Sequence, residues 1–150
     1  MAVRLWKANG PIHIEFYPKT ASTAFAFDEP VCFTTTGRLI AYTPGAVQPF
    51  LGLIKKTIAS TDSDYASATR VPVEVANLDS EYLIDASTTA AAETDQGEFV
   101  DYVAATRSVN VGVSTEDDFF VTKFISTTLV VGKWVRRTLS NNLQTAFTNA

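Results

Sequence analysis

The size, composition and charge of the chain indicate one globular domain and exclude several classes of protein. It has 150 residues, of which 46% are hydrophobic and only 19% charged, enough for a sizeable core but below the usual charged fraction of about 25%. A net charge of −4 with scattered Lys and Arg argues against a nucleic-acid-binding footprint. The single cysteine, Cys32, excludes an internal disulfide and most thiolate metal clusters.

No apolar run reaches the roughly 18 residues that span a bilayer, and the first residues lack the apolar core of a signal peptide. We therefore expect a protein that is made in a cytoplasm and has no membrane partner. Residues 1–10 alternate basic and apolar side chains around Trp6 before the Asn9-Gly10-Pro11 turn signal. They are interpreted either as an extended N-terminal arm or as the first strand of a sheet.

The next segment is a strand. Side chains alternate along a strand, and the alternation predicts which of them face inward and which outward. The predicted inward residues are Ile12, Ile14 and Phe16, and the outward ones are His13, Glu15 and Tyr17.

Short strands and turns continue through the middle of the chain. Residues 30–42 read as a hairpin and residues 50–54 as a short apolar strand. Residues 57–69 are rich in Ser, Thr, Ala and Asp and are predicted to form a long surface loop, whose length suggests a contact function. Ser87 to Glu93 is the best internal helix candidate, of one or two turns.

The segment from Asp118 to Arg137 is the predicted central hairpin. It is rich in β-branched and aromatic residues and is broken only around Ser126 to Thr128 and at Gly132. Both faces of its strands are largely apolar, which favours cover on both sides. The chain is therefore divided into an N-terminal arm (1–10), a β domain (11–137) and a C-terminal tail (138–150), in which apolar residues at helical spacing would need a partner surface.

These features predict an all-β protein: a single small β-sandwich or β-barrel with extended terminal arms and at most one or two short helices. The sequence contains few candidates for catalytic or metal-binding residues. His13 is the only histidine, and Cys32 lies between Val31 and Phe33 as a buried small hydrophobe would. Two acidic groups could offer oxygen ligands to calcium, but neither has the glycine turn and terminal Glu of an EF-hand loop. They are Asp62 with Asp64, and Glu116 with Asp117 and Asp118. We expect no enzyme activity, no cofactor and no metal.

The segment from Pro30 to Val75, with its hairpin, its Pro-Phe-Leu-Gly-Leu-Ile strand and its polar loop returning on Val-Pro-Val-Glu-Val, resembles the small all-β decoration, or cement, proteins of tailed-bacteriophage heads. The later part of the chain resembles these proteins in the same way, in its segment Glu81 to Asp85 and in the paired strands that end at Trp134. The resemblance implies a structural virion protein, located on the capsid surface. Such a protein binds the major capsid protein on the outside of the shell, often as a homotrimer, and reinforces the shell by clamping neighbours with terminal arms.

Under this interpretation both termini and the end of the hairpin contact the capsid or a neighbouring subunit. The predicted contact residues are Arg4, Leu5, Trp6, Lys7, Trp134, Arg136, Arg137, Leu139, Leu143 and Phe147. Trp6 and Trp134 are the preferred anchors, with ordinary core packing as the alternative for each. Three other functions stay open: a tail or head-completion component, a carbohydrate- or receptor-binding β-sandwich, and an enzyme dependent on His13 or Cys32.

Overall fold

The structure, a computed structural model, describes residues 3–8, 12–46, 48–77, 79–87 and 89–135. This part of the chain contains eleven strands, one short 3-10 turn at Glu93–Asp95 and no α-helix. The strands are Val3–Lys7 (β1), His13–Pro18 (β2), Pro30–Phe33 (β3), Leu39–Ala41 (β4), Gly52–Ile54 (β5), Arg70–Val75 (β6), Glu81–Ala86 (β7), Phe99–Val103 (β8), Ser108–Asn110 (β9), Phe119–Ser126 (β10) and Leu129–Trp134 (β11).

The first sheet closes into a five-stranded barrel. Its strands follow the order β7-β11-β10-β8-β9, and β9 returns to pair in parallel with the end of β7. β1 lies outside this ring, antiparallel to the first half of β7. A second sheet has the order β2-β6-β5-β3-β4. The predicted all-β class is confirmed, as a closed barrel plus a second sheet.

The predicted hairpin is the pair β10 and β11, and its inward side chains fill the barrel. Phe119, Val121 and Val130 are buried there. The predicted break at Gly132 is wrong, because β11 continues through it opposite Val121. Glycine is needed at this position for packing: a Cβ would collide with the Phe119 ring and with the carbonyl oxygen of Phe120.

The second sheet has a core of its own on one side. Val31, Leu39, Ile54, Val71 and Val73 are buried there against Phe25 and Ile58. Ile58 belongs to the 57–69 segment, so this segment is a cover for the sheet as well as a surface loop. The buried Lys19 holds the segment in place, because its Nζ donates to the carbonyl oxygens of Tyr65 (2.7 Å) and Ser67 (2.6 Å).

The other side of the second sheet packs against the barrel. Cys32 and Leu53 join the barrel cluster there, together with Phe50. The fully buried Asp118 fixes the junction: its Oδ1 accepts from the Tyr42 hydroxyl (2.8 Å) and the Gly45 amide (2.9 Å), and its Oδ2 from the Tyr102 amide (3.2 Å). The two sheets therefore share the barrel cluster, while the second sheet keeps a separate core on its other side.

Two further expectations are corrected by the structure. Ile12, Ile14 and Phe16 were predicted to face inward and are exposed, because β2 lies at the edge of its sheet. The helix candidate 87–93 is irregular at its described positions before the 3-10 turn that begins at Glu93. The N-terminal segment was interpreted as an arm or a first strand, and at residues 3–7 the structure shows the strand.

Candidate partner-binding surface

Two strands of this protein are sheet edges that lie near each other. Among the described strands, β1 is hydrogen-bonded only to β7, and β2 only to β6. An edge strand presents backbone N–H and C=O groups that can pair with another chain. A groove beside β1 is lined by residues of this strand, by Ile12 just before β2, and by Lys55 and Glu74 of the second-sheet region.

β1 combines a buried anchor with exposed side chains. Val3, only 2% exposed, packs in the barrel core opposite Ile84. The register with β7 shifts between Leu5 and Lys7, which places Trp6 at a β-bulge. Bulges redirect a side chain out of the regular alternation, and Trp6 is 44% exposed. Its indole is therefore held outward by a strand whose start is fixed in the core.

The groove beside β1 has a volume of about 430 Å³. One wall is residues 4–8, and the other is formed by Ile12, Lys55 and Glu74. A smaller adjoining cavity of about 220 Å³ continues from Leu5 and Ile12 toward Asn77 and Ser80. The groove thus runs along β1 and past the C-terminal end of β6.

A buried carboxylate lies in the groove wall. Glu74 is 7% exposed, and its Oε2 lies 3.5 Å from the Lys55 Nζ. Among the described residues its Oε1 has no hydrogen-bond partner. A buried acceptor without a partner costs about 1 to 3 kcal/mol, so a ligand that donates to this oxygen would recover free energy. Lys55 also donates to Asp28 (2.5 Å) and lies 5.1 Å from the centre of the Phe27 ring.

Five of the nine large exposed apolar side chains in the described part of the chain lie in this groove or on the strands and loop next to it, unlike singly scattered hydrophobic residues. Trp6 and Ile12 line the groove, and the Phe27 ring lies beside Lys55. Ile14 and Phe16 stand on the same face of the second sheet as Glu74 and Pro72, directly opposite them in register. The five are Trp6, Ile12, Ile14, Phe16 and Phe27.

The structure brings together only part of the predicted contact set. Arg4, Leu5, Trp6 and Lys7 line the groove. Trp134 is in the core instead, 8% exposed and stacked on Phe50 with 4.5 Å between ring centres, so it is not available as an interface anchor. The remaining predicted residues, Arg136, Arg137, Leu139, Leu143 and Phe147, lie outside the described residues.

The sequence interpretation missed the second wall of the groove. Ile12, Ile14 and Phe16 were assigned to the core, and Lys55 and Glu74 were not singled out. Glu74 was identifiable in principle, as a charged residue within a run of valines from Val71 to Val75.

The residues with other chemistry are used inside the fold or lie alone. His13 Nε2 and Glu15 Oε1 are 2.5 Å apart on an exposed surface. The prediction that Cys32 is buried is confirmed, and burial raises the pKa of its thiol to about 11. The described residues contain no group of three His, Cys, Asp or Glu side chains that could hold a metal ion.

The predicted acidic positions are engaged in local contacts. Asp62 Oδ2 accepts from the Ala59 amide (2.8 Å), and Asp64 pairs with Lys56 (2.8 Å). The Lys56 ammonium lowers the pKa of Asp64. These carboxylates therefore hold the turns of the 57–69 segment. In the part of the chain that is described, no helix has the length and apolar character to cross a membrane.

Comparison of this chain with protein-family models, with curated proteins and with solved structures finds no match.

Proposed function

We propose that this protein is a structural virion protein that binds the outer surface of a phage capsid and stabilises the shell. The observation that carries the proposal is the exposed edge of β1, which presents Trp6 on a bulge beside a groove lined by both apolar and charged side chains. This surface has the features of a peptide-recognition site, namely an open sheet edge with pockets for alternate side chains. It agrees with the resemblance to capsid decoration proteins, and it requires no catalytic group.

The binding step adds a strand of the major capsid protein to the free edge of β1. Main-chain hydrogen bonds supply affinity, and the groove selects the side chains of the added strand. Trp6 and Ile12 would cover an apolar side chain, while Arg4 and Lys7 favour acidic residues on the shell segment. A donor from the same segment would satisfy the buried Oε1 of Glu74.

Multivalency converts this small contact into stable decoration. A homotrimer, as the resemblance implies, would present three copies of the groove at one position of the shell. Once one copy is bound, the others bind intramolecularly, which raises avidity by about 10² to 10⁴ without a new contact. The internal pressure of packaged DNA would then be resisted by strands shared between this protein and the shell.

Co-sedimentation with DNA-filled shells stripped of this protein tests the proposal. We expect Trp6→Ala to weaken shell binding at least about tenfold, since an interface hot spot costs more than about 1.4 kcal/mol. Phe99→Ala is the matched control, because Phe99 is similarly exposed (46%) but lies on β8, across the barrel sheet from β1. Equal binding by the Trp6→Ala and Phe99→Ala variants would refute the role of the groove, and no binding by the unmodified protein would refute the proposed function.

The exposed indole of Trp6 beside a groove also suits a second function, sugar binding by ring stacking. A glycan screen separates the two. Saturable binding of a glycan that is lost in Trp6→Ala, by a protein that does not bind shells, would favour a carbohydrate-binding module.

A further inference from the structure

The edge of β2 has backbone groups that point away from its own sheet. Lys19 N–H donates to the carbonyl oxygen of Thr69 (3.0 Å), which extends the antiparallel register of β2 with β6. Hydrogen-bonded pairs alternate with non-bonded pairs along an antiparallel ladder. The odd-numbered residues of β2 therefore bond to β6, and Ile14 and Phe16 direct their N–H and C=O groups outward. Thr20 fits this alternation of even-numbered residues, because its N–H donates to the carbonyl oxygen of Leu39 (3.0 Å), on the side away from β6.

The open part of this edge is limited to its first half. Pro18 has no N–H, and the bridge from Lys19 to Leu39 joins the end of β2 to β4. Before that point, the side chains of Ile12 (62% exposed), Ile14 (43%) and Phe16 (56%) form an apolar row. Natural edge strands are usually protected by charges, proline or bulges. Residues 12–16 have none of these on the apolar row, which indicates that another strand covers them.

We propose that β2 pairs antiparallel with β2 of a second copy of this chain, about a two-fold axis at Ile14. In this register Ile14 lies opposite Ile14 of the second copy, and Ile12 lies opposite Phe16. His13 lies opposite Glu15 of the second copy, and Glu15 opposite its His13. One face of the junction is therefore apolar, and the other carries two pairs of complementary polar side chains.

Charge and backbone chemistry favour this register over those centred on Glu15 and on Phe16. A two-fold axis at Glu15 would set the two Glu15 carboxylates directly opposite each other, an unfavourable pair. An axis at Phe16 would place Ile14 opposite Pro18, which cannot donate a hydrogen bond, and would bring in Lys19, which is already bridged to Leu39. With the axis at Ile14, the outward groups of Ile14 and Phe16 meet partners, and the Arg70 guanidinium that donates to the Phe16 carbonyl (3.2 Å) is displaced.

The proposal commits to the second copy because the strand is complementary to itself. In its sequence His-Ile-Glu, an imidazole and a carboxylate stand on either side of Ile14. When a second copy runs antiparallel, each imidazole therefore lies opposite a carboxylate. Pairing would join the two five-stranded sheets into one sheet of ten strands across the axis. Trp6 on β1 lies outside this contact, whereas Ile12 belongs both to the contact and to the groove. The two-fold dimer is a state of the free protein, distinct from the three-fold assembly proposed on the shell.

Cysteine cross-linking tests both the pairing and its register. Opposed residues of a hydrogen-bonded pair have Cα atoms about 5.5 Å apart, within the range that a disulfide spans. We expect Ile14→Cys to give a covalent dimer under mild oxidation and Glu15→Cys to give none, since Glu15 faces His13 of the second copy. The native Cys32 is buried in both variants. A dimer from Glu15→Cys alone, or from neither variant, would overturn the proposal.

A charge exchange gives an independent readout by sedimentation equilibrium. We expect the unmodified protein to dimerise at its highest soluble concentrations and His13→Glu to weaken dimerisation at least about tenfold, because each introduced carboxylate would then face Glu15 of the other copy. The double variant His13→Glu/Glu15→His should restore the original affinity. A monomer at all concentrations, or a dimer insensitive to His13→Glu, would contradict the pairing. Shell binding by Trp6→Ala is a separate measurement, so failure of the proposed function remains distinguishable.

Discussion

The strongest test of how the N-terminal strand is held is Val3→Ala. Val3 is 2% exposed and packs in the barrel core, opposite Ile84 of β7. The substitution removes two methyl groups, at about 0.8 kcal/mol each, and leaves a small cavity that adds to the cost. We therefore expect a loss of about 2 kcal/mol in the free energy of unfolding, or about 4 to 8 °C in Tm for a domain of this size. Differential scanning calorimetry and urea titration of the purified protein measure both quantities.

Trp6→Ala is the matched control on the same strand. Because Trp6 is exposed on a bulge, we expect its removal to change the free energy of unfolding by less than about 1 kcal/mol. An unchanged melt for Val3→Ala would refute the reasoning. It would mean that β1 does not contribute to the isolated fold and that the N-terminal segment behaves as an arm, the alternative that the sequence left open.

Three further predictions concern polar groups in the core. Lys19→Met removes three charge-assisted hydrogen bonds to backbone carbonyls, two of them to the 57–69 segment, and should cost about 2 to 4 kcal/mol in a urea titration. Lys56→Met breaks an exposed ion pair and should cost less than about 1 kcal/mol. Asp118→Ala leaves buried donors at the junction of the two sheets unpaired and should cost about 3 to 5 kcal/mol by the same measurement. Burial raises the pKa of Cys32 from 9.0 to about 11, so the folded protein holds the thiol proton more tightly. The stabilising effect is complete below pH 9, and about 2 to 3 kcal/mol should be lost as the pH rises to 11; Cys32→Ala should remove this part of the pH dependence of Tm.

Each of these predictions has a definite contradicting result. Equal losses for the Lys19 and Lys56 variants would mean that the 57–69 segment is not held by the buried ammonium. A loss below about 1 kcal/mol for Asp118→Ala would show that the two sheets are not joined through this carboxylate. The same decrease of Tm with pH above pH 9 in the unmodified protein and in Cys32→Ala would contradict the raised pKa. Tyr102, whose pKa burial also raises, contributes equally to both curves.

The class of fold was predictable because it depends on local patterns. Period-two alternation, β-branched residues and turn signals are read within a few residues, and they located the hairpin of β10 and β11 close to its observed bounds. The burial of Cys32 followed in the same way from Val31 and Phe33 on either side of it. These features require no knowledge of which strands are neighbours.

Sheet order and edge position were not predictable from the same patterns. Alternation along residues 12–17 correctly separates two faces, but it does not tell whether a strand is central or at an edge. Ile14 and Phe16 were therefore assigned inward, although β2 is an edge strand and both side chains are exposed. Trp134 shows the reverse case, because its burial depends on Phe50, which is 84 residues away in sequence and packs on it from the segment before β5.

Only one of the two walls of the groove could be predicted from the sequence, for a related reason. Its β1 wall is one continuous segment, and the exposed Trp6 among basic residues is visible in the sequence. Its other wall is formed by Ile12, Lys55 and Glu74, which come from three separate segments. Only the pairing of β2 with β6 and of β6 with β5 brings them together.

The measurement that tests the central claim most directly is the stoichiometry of this chain on DNA-filled particles. Particles purified from lysates of cells that produce the protein would be sedimented, and its amount compared with that of the main shell subunit by gel densitometry. The account predicts near-parity or a simple fraction of it. A few copies per particle would indicate a neck or tail component instead, and complete absence of the chain from particles would contradict the proposed function.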